Sequence, residues 1–282
     1  MSGHDDIGRR LCSASDPATF LALWFEDNLL PAVEQGTFEA FYRSFRKSFP
    51  PRIRRYYSGQ LTEVTAMVRG QPGALVLEVG CGCGSESLWL ALQGARVYGI
   101  DVRADRVAVA ESRAEVLSGF AGRPLPVQFA SANFLDLPAE PSYDIIWMEQ
   151  TFHHLEPRRR VVEHLARLVR PGGHLVVSEA NGWNPLLQLQ LLLRRGVRTV
   201  VTFTGEDGRE HVYGNERVLS ALALSELLGR VGFRRQRIRH FRSFPNHPLF
   251  SPLGRAEALL EHNFLAPLLT HYNYVGRRVE HD

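Results

Sequence analysis

Cysteine and long apolar runs are both scarce in this chain. Its 282 residues include three cysteines, an odd number that does not make a disulfide framework and that favours a reducing compartment. No stretch of about eighteen uninterrupted apolar residues occurs, so no transmembrane helix is expected. Residues 1–10 also lack the apolar core of a signal peptide. We therefore expect a soluble protein of the cytoplasm.

Lysine is almost absent as well. Lys47 is the only lysine, so arginine supplies nearly all of the 33 basic residues, which exceed the 30 acidic ones and give a net charge of +3. The arginine clusters are short and mostly interleaved with apolar residues, which favours solvated faces over a surface that binds a polyanion. They comprise Arg52, Arg54 and Arg55, then Arg158–Arg160, and the arginines from Arg230 to Arg242. The polyanion surface stays open as the alternative.

The first seventy residues have the apolar spacing of helices. Segments 18–30, 38–49 and 51–68 each repeat apolar residues at intervals of three or four, and they are dense in aromatic residues. We predict that residues 1–70 form a helical cap laid over an apolar surface.

From residue 74 onwards, short β-type runs alternate with helical segments. The first five strand candidates are segments 74–79, 95–100, 126–130, 143–148 and 174–180. Regular alternation of strand and helix predicts right-handed crossovers and a parallel sheet with helices on both faces. Segments 231–241 and 269–279 are later strand candidates, and we predict an apolar, helical insertion over residues 181–217.

A glycine loop joins the first predicted strand to the following helix. Gly80, Gly82 and Gly84 allow positive φ angles and close approach of a ligand to the backbone. Ser85 stands where the dinucleotide fingerprint needs glycine, and the phosphate loop ending in Gly-Lys is absent. Asp101 ends the second strand, where a doubly wound fold places its acceptor for ribose hydroxyls. The alternatives are plain turn glycines and an aspartate that only caps the next helix.

The segment from Glu78 to Gly84, followed by Asp101, resembles the first motifs of class I S-adenosylmethionine-dependent methyltransferases. The resemblance is close over residues 70–180 and looser beyond them. It implies an α/β fold of the Rossmann-like, doubly wound type, with a mostly parallel seven-stranded sheet and an antiparallel last strand, over residues 71–282. It also implies S-adenosylmethionine as cofactor and S-adenosylhomocysteine as product, with Glu78, the three glycines and Asp101 in contact with the cofactor.

Segment 131–138 resembles the family segment that contacts adenine. Asn133 stands where the family usually has an acid, and its side-chain carbonyl can still accept the adenine N–H. Phe134 is the expected neighbour of the ring. Both residues could instead be ordinary loop residues.

The loop after the fourth predicted strand carries candidate groups for acceptor and cofactor. His153 and His154 follow the strand's carboxyl end, and by resemblance we favour His154 as the base that takes a hydroxyl proton. Helix capping or backbone binding is the alternative for both. Glu149 is expected to bind the ammonium group of the cofactor's methionine part, or to be structural. We expect no metal, because no carboxylate or thiol at ligand spacing accompanies the histidines.

The apolar flanks of the predicted cofactor site favour a hydrophobic acceptor. The sequence therefore predicts an enzyme that methylates a small molecule, most simply at oxygen, in natural-product, quinone or lipid metabolism. Transfer to carbon or nitrogen is possible, and transfer to RNA or protein through the arginine clusters is the alternative. Nucleic acid is an unlikely partner and a homodimer is possible. Cys81 and Cys83 are expected to be small fillers between glycines rather than reactive thiols.

Overall fold

The structure is a computed structural model that describes residues 3–140, 142–204, 210–244, 250 and 254–279. These residues form two compact units, divided between Leu137 and Pro138. Among the described residues, no helix has the length and apolar character needed to cross a bilayer.

The first unit begins with six helices and continues as three strands alternating with two further helices. The elements are α1 (Gly3–Cys12), α2 (Pro17–Leu23), α3 (Ala32–Phe41), α4 (Arg43–Lys47), α5 (Pro51–Gln60), α6 (Thr62–Gly70), β1 (Leu75–Val79), α7 (Ser85–Leu92), β2 (Arg96–Asp101), α8 (Ala104–Ala121) and β3 (Val127–Ser131). A 3-10 turn, Phe134–Asp136, follows β3. Strand β2 pairs in parallel with both β1 and β3.

The N-terminal helices pack on the helices of the same unit through aromatic side chains. Phe20, Trp24 and Phe38 are each 1% exposed, and the Phe20 and Trp24 rings meet edge to face. The guanidinium of Arg113, from α8, lies 4.4 Å from the Trp24 ring centroid and 4.8 Å from that of Phe38. Stacking of this cation on two rings compensates part of the cost of burying it.

The second unit contains the remaining strands and helices. The elements are β4 (Tyr143–Glu149), α9 (Arg158–Leu168), β5 (Val169–Ala180), α10 (Pro185–Arg195), β6 (Val200–Thr204), β7 (Glu210–Gly214), α11 (Ala221–Gly229), β8 (Phe233–Phe241), α12 (Gly254–Leu260) and β9 (His271–Arg278). A 3-10 turn, Phe152–His154, follows β4, and another, Asn263–Leu268, precedes β9.

The strands form one seven-stranded sheet in the order β3-β2-β1-β4-β5-β9-β8 and a separate β6-β7 pair. Strand β4 is parallel to β5, whereas β9 is antiparallel to both β5 and β8. The predicted fold class, a mostly parallel sheet with an antiparallel last strand, is therefore confirmed. The predicted strands on segments 231–241 and 269–279 are β8 and β9.

The insertion over residues 181–217 is only partly helical, which corrects the prediction of a helical insertion. Helix α10 stops at Arg195 because Gly196 takes a φ of +66°. The β-branched residues that follow form β6, which pairs antiparallel with β7. The division into a cap over residues 1–70 and a domain over 71–282 stays a prediction, since the cap helices pack in one unit with β1–β3.

Candidate functional site

The glycine loop of the first unit is held against the end of β2. The amides of Gly80 and Cys81 donate to the carbonyl of Ile100 at 2.8 and 2.9 Å, and the amide of Gly82 donates to Asp101 Oδ2 at 3.0 Å. Asp101 Oδ1 accepts from the amide of Arg103 at 2.9 Å. The structure thus brings the loop and the carboxylate together, as the sequence predicts.

Two of the loop glycines are required by both conformation and space. Gly82 and Gly84 have φ angles of +51° and +78°, in the left-handed region. A Cβ on Gly84 would lie 2.7 Å from that of Ala110, and one on Gly82 would lie 2.6 Å from the ring of Phe41. Any residue other than glycine at these two positions would therefore strain the backbone and clash with its neighbours.

Arg113 and Tyr42 support this loop from behind, and the sequence motifs revealed neither residue. Arg113 donates to the carbonyl of Cys83 at 2.6 Å and to Ser85 Oγ at 2.8 Å, while the Tyr42 hydroxyl donates to the same Ser85 oxygen at 2.7 Å. The sequence did offer one indication of Arg113, because an arginine between Val109 and Leu117 interrupts the apolar face of α8.

The other predicted cofactor residues of the first unit already have partners within the chain. Glu78 is 2% exposed and accepts a hydrogen bond from the Ser87 hydroxyl. Asn133 Oδ1 accepts from the amide of Leu135 at 3.0 Å, so Asn133 caps the 3-10 turn that begins with the buried Phe134. A carbonyl oxygen has a second lone pair, so this bond leaves room for the predicted adenine contact.

The two loop cysteines are buried and held as thiols. Burial raises the pKa of Cys83 to about 12, and burial followed by the charge of Glu78 raises the pKa of Cys81 further. Because the thiolate is the reactive form, neither side chain is prepared for nucleophilic or metal chemistry.

In the second unit, the predicted histidine loop meets the acid at the end of β5. His153 is 5% exposed, and its Nδ1 lies 2.7 Å from Glu179 Oε2. The His153 amide also donates to Glu179 Oε1 at 3.2 Å. Burial opposes protonation of the ring, but Glu179 outweighs it, so the pKa of His153 is raised. Glu179 was missed as a site residue, although an acid at the carboxyl end of a strand was a usable signal.

His154 is held by the end of β7. Its Nδ1 lies 2.9 Å from the carbonyl oxygen of Gly214, and its ring stacks on Tyr213 with centroids 4.6 Å apart. Burial, followed by the nearby His153, lowers the pKa of His154. Both predicted histidines thus have structural partners, and the ring of His154 is the less buried of the two.

Glu216 joins this pair from the segment after β7. Its Oε2 lies 3.7 Å from His153 Nε2, and one potential ligand atom from each of His153, His154 and Glu216 lies within 4.8 Å of the others. The expectation of no metal depended on the lack of an accompanying carboxylate, and folding supplies one from sixty-odd residues along the chain.

Glu149 is the last residue of β4 and is half-buried. Its backbone carbonyl accepts from the Thr151 hydroxyl at 2.8 Å, and it pairs in register with Ser178 of β5. Glu149 therefore lies at the strand end where the sequence placed it, and its predicted contact with the cofactor stays a prediction.

A family model described as a methyltransferase domain matches residues 77–177, which include the glycine loop, Asp101 and the histidine loop. This chain contains a class I methyltransferase domain. S-adenosylmethionine is the cofactor of this family.

Curated relatives match somewhat over a third of the chain. Methyltransferase GfsG of Streptomyces halstedii is 38% identical over 109 residues, which are 38% of this chain and 38% of that protein. The ubiquinone biosynthesis O-methyltransferase of Cronobacter sakazakii is 34% identical over 111 residues, covering 39% of this chain and 43% of that protein. The matched region thus spans less than half the length of either relative.

A solved structure shows a similar fold over nearly the whole chain. Magnesium protoporphyrin IX methyltransferase from Synechocystis PCC 6803, with bound S-adenosylhomocysteine, superposes with a TM-score of 0.53 at 20% identity. The superposition covers 97% of this chain and 93% of that one. At this identity the likeness concerns the fold.

Proposed function

We propose that this protein transfers a methyl group from S-adenosylmethionine to a hydrophobic small molecule, with oxygen as the acceptor atom. The observation that carries the proposal is the glycine loop joined to Asp101 by the Gly82 amide at 3.0 Å. The names of the curated relatives, one of them an O-methyltransferase of ubiquinone biosynthesis, support transfer to small-molecule oxygen. They do not favour the RNA or protein alternative.

The chain's own residues fit this cofactor. Gly82 and Gly84 give the loop a left-handed backbone without side chains, and the buried Asp101 carboxylate retains lone pairs for ribose hydroxyls. Asn133 and Phe134 are proposed for the adenine, and Glu78 and Glu149 for the polar groups of the methionine part. When bound, S-adenosylmethionine supplies a methyl group already activated on a sulfonium, so the protein has mainly to orient the acceptor and exclude water.

A hydroxyl acceptor also has to lose its proton, and we assign this step in the metal-free protein to His154. The His154 Nδ1 faces the Gly214 carbonyl and therefore carries the ring proton, which leaves the lone pair of Nε2 to accept one. Glu179 orients His153 beside it.

Calorimetry with S-adenosylmethionine tests the shared basis of this proposal. Wild type should bind, and Asp101→Ala should lose at least tenfold in affinity because the ribose hydroxyls lose their acceptor. Glu115→Ala, at an exposed acid on α8, is the matched control and should bind as wild type does. A wild type that does not bind the cofactor contradicts the proposal.

Turnover with quinol and phenol acceptors tests the base separately. His154→Gln should lower kcat about a hundredfold or more while cofactor binding is retained, since general bases contribute 10²–10⁴ in rate. His262→Gln, at an exposed histidine, should leave kcat unchanged. If His154→Gln turns over at the wild-type rate, His154 is not the base, whereas the methyltransferase assignment stands on the calorimetry.

We also propose a homodimer in the cytoplasm. Support comes from α10, where Leu186 and Leu193 are 77% and 79% exposed. Light scattering measures the molar mass of wild type and of Leu193→Glu, and we expect a dimer and a monomer respectively. A monomeric wild type would exclude the dimer.

A further inference from the structure

Three side chains of the second unit bring potential metal-ligand atoms close to one another. His153, His154 and Glu216 each bring a ligand atom within 4.8 Å of the others, and His153 Nε2 is 3.7 Å from Glu216 Oε2. Neighbouring ligands of a tetrahedral zinc ion lie about 3.3 Å apart, because zinc–nitrogen and zinc–oxygen bonds are near 2.0–2.1 Å. The His153–Glu216 spacing is already close to this value, and the whole set would contract around an ion from distances of at most 4.8 Å.

The ring hydrogen bonds already select the binding nitrogens. Histidines that bind metal donate their other ring N–H to a carboxylate or a backbone carbonyl, which fixes the tautomer. His153 Nδ1 faces Glu179 at 2.7 Å and His154 Nδ1 faces the Gly214 carbonyl at 2.9 Å, so each histidine has one of these two partners. Both Nδ1 atoms carry protons, and the lone pair of each neutral ring is at Nε2.

The third ligand is held in place by its surroundings. Glu216 has a φ of +52°, a conformation rare for glutamate that persists only where neighbouring contacts impose it. The next residue, Arg217, donates to Glu156 Oε1 at 2.7 Å, which anchors the segment to the histidine loop. The Glu216 side chain is 45% exposed, so an ion bound there can be reached from solvent.

We propose that His153, His154 and Glu216 form a binding site for a divalent transition-metal ion of the zinc type, with the fourth position open to water or to a hydroxyl. Two histidines and one glutamate with an open position are a ligand set of catalytic zinc sites. Glu179 and the Gly214 carbonyl are the outer partners that orient the rings.

The ion changes what the histidines do without replacing the methyl donor. Both Nε2 lone pairs are then donated to the metal, so neither ring accepts a proton in the loaded protein. An ion held by these residues would make a hydroxyl at the open position more acidic, so that solvent water could take its proton. The metal thereby substitutes for a protein base.

Metal binding can be measured without cofactor or acceptor, so its outcome is independent of the proposed methyl transfer. Tag-free, chelator-treated protein is titrated with Zn²⁺ in a calorimeter, and with Co²⁺ while visible absorption is recorded. We expect one strong site per chain and the absorption bands of four-coordinate Co²⁺. Glu216→Gln and His153→Gln should weaken Zn²⁺ binding at least a hundredfold, and Glu179→Gln by roughly 10–100-fold, as outer partners do.

Matched controls exclude binding by ordinary surface groups. Glu226→Gln and His262→Gln change an exposed glutamate and an exposed histidine, and should leave the Zn²⁺ affinity unchanged. Far-ultraviolet circular dichroism checks that each variant is folded. Glu216→Gln should disturb folding least, because the Glu216 side chain is partly exposed. Absence of a strong site in wild type, or equal affinity in wild type and Glu216→Gln, overturns the proposal.

Discussion

At the scale of single residues, Gly84 shows how few conformations and side chains the glycine loop can accept. Its φ of +78° is a conformation that residues with a side chain rarely adopt. An added Cβ would also clash with the Cβ of Ala110 at 2.7 Å. Gly84→Ala should lower the free energy of unfolding by about 1–3 kcal/mol and weaken S-adenosylmethionine binding, because strain and overpacking add. Urea unfolding and calorimetry measure the two effects.

Gly119 is the matched control in the same unit. It lies inside α8, and a Cβ there would meet nothing within 4 Å. Gly119→Ala should therefore stabilise the protein by about 0.5–1 kcal/mol, since alanine favours a helix interior. Similar losses of stability in both variants would contradict the role given to the loop conformation.

Asp16 makes a pH-dependent contribution at the start of α2. It accepts from the amides of Ala18 and Thr19, each at 3.0 Å, and from the Ser58 hydroxyl at 3.0 Å. Partial burial opposes ionisation, but the bonds from Thr19 and Ser58 outweigh it, so the pKa of Asp16 is lowered from 3.8. A lowered folded pKa means that the contribution is full above the ordinary pKa and is lost as pH falls through the folded value.

Asp16→Ala should therefore cost about 1 kcal/mol at pH 7 and less at pH 3.5, measured by urea unfolding. Asp16→Asn, which keeps a capping oxygen without a charge, should cost less at pH 7 and should change less between the two pH values. An equal cost of Asp16→Ala at both pH values would show that its charge adds nothing.

At the scale of elements, the sequence predicted strands and loops that have a local residue pattern. It missed the elements and residues whose positions depend on contacts between distant parts of the chain. Strands β1–β5 follow from their short apolar runs, and the glycine loop follows from its spacing. The β6–β7 pair was missed because the apolar run of α10 continues into Val200 and Val201, and only Gly196 marks the break. Glu216 could not be assigned to the histidines, since β7 alone brings it there.

Gly214 makes the approach of β7 to the histidine loop possible. A Cβ at this position would lie 2.1 Å from the His153 carbonyl oxygen, a backbone atom that cannot rotate away. Gly214→Ala should lower the free energy of unfolding by about 1–3 kcal/mol through overpacking, and it should weaken Zn²⁺ binding if the ligand set is as proposed. Urea unfolding measures the first effect.

Gly229 provides the comparison at the end of α11, where a Cβ would meet nothing within 4 Å. Gly229→Ala should change stability by no more than about 0.5 kcal/mol. A Gly214→Ala variant as stable as Gly229→Ala would mean that the contact between β7 and the histidine loop is looser than the structure shows.

At the scale of the whole molecule, strand and helix alternation predicted the fold class, whereas the division into units was not predictable. The two units meet in sequence between Leu137 and Pro138, far from the composition change near residue 70 that suggested a boundary. Helices of the cap are joined to α8 through Arg113 and its two rings, a contact between residues distant in the sequence. Composition shows which segments have similar residues, but it does not show which segments pack together, and packing defines the units.

Cofactor binding should be visible in the stability of the molecule, because the glycine loop proposed to bind it packs within the first unit. A ligand that binds only the folded state stabilises it by roughly 2.7 kcal/mol at a hundredfold excess over Kd. S-adenosylhomocysteine at that excess should raise the unfolding midpoint by roughly 5 °C, measured by scanning calorimetry. Asp101→Ala, with its affinity at least tenfold weaker, should show at most about half that shift at the same concentration, while Glu115→Ala should shift as wild type does. A shift as large in Asp101→Ala as in wild type would place the ligand away from the glycine loop.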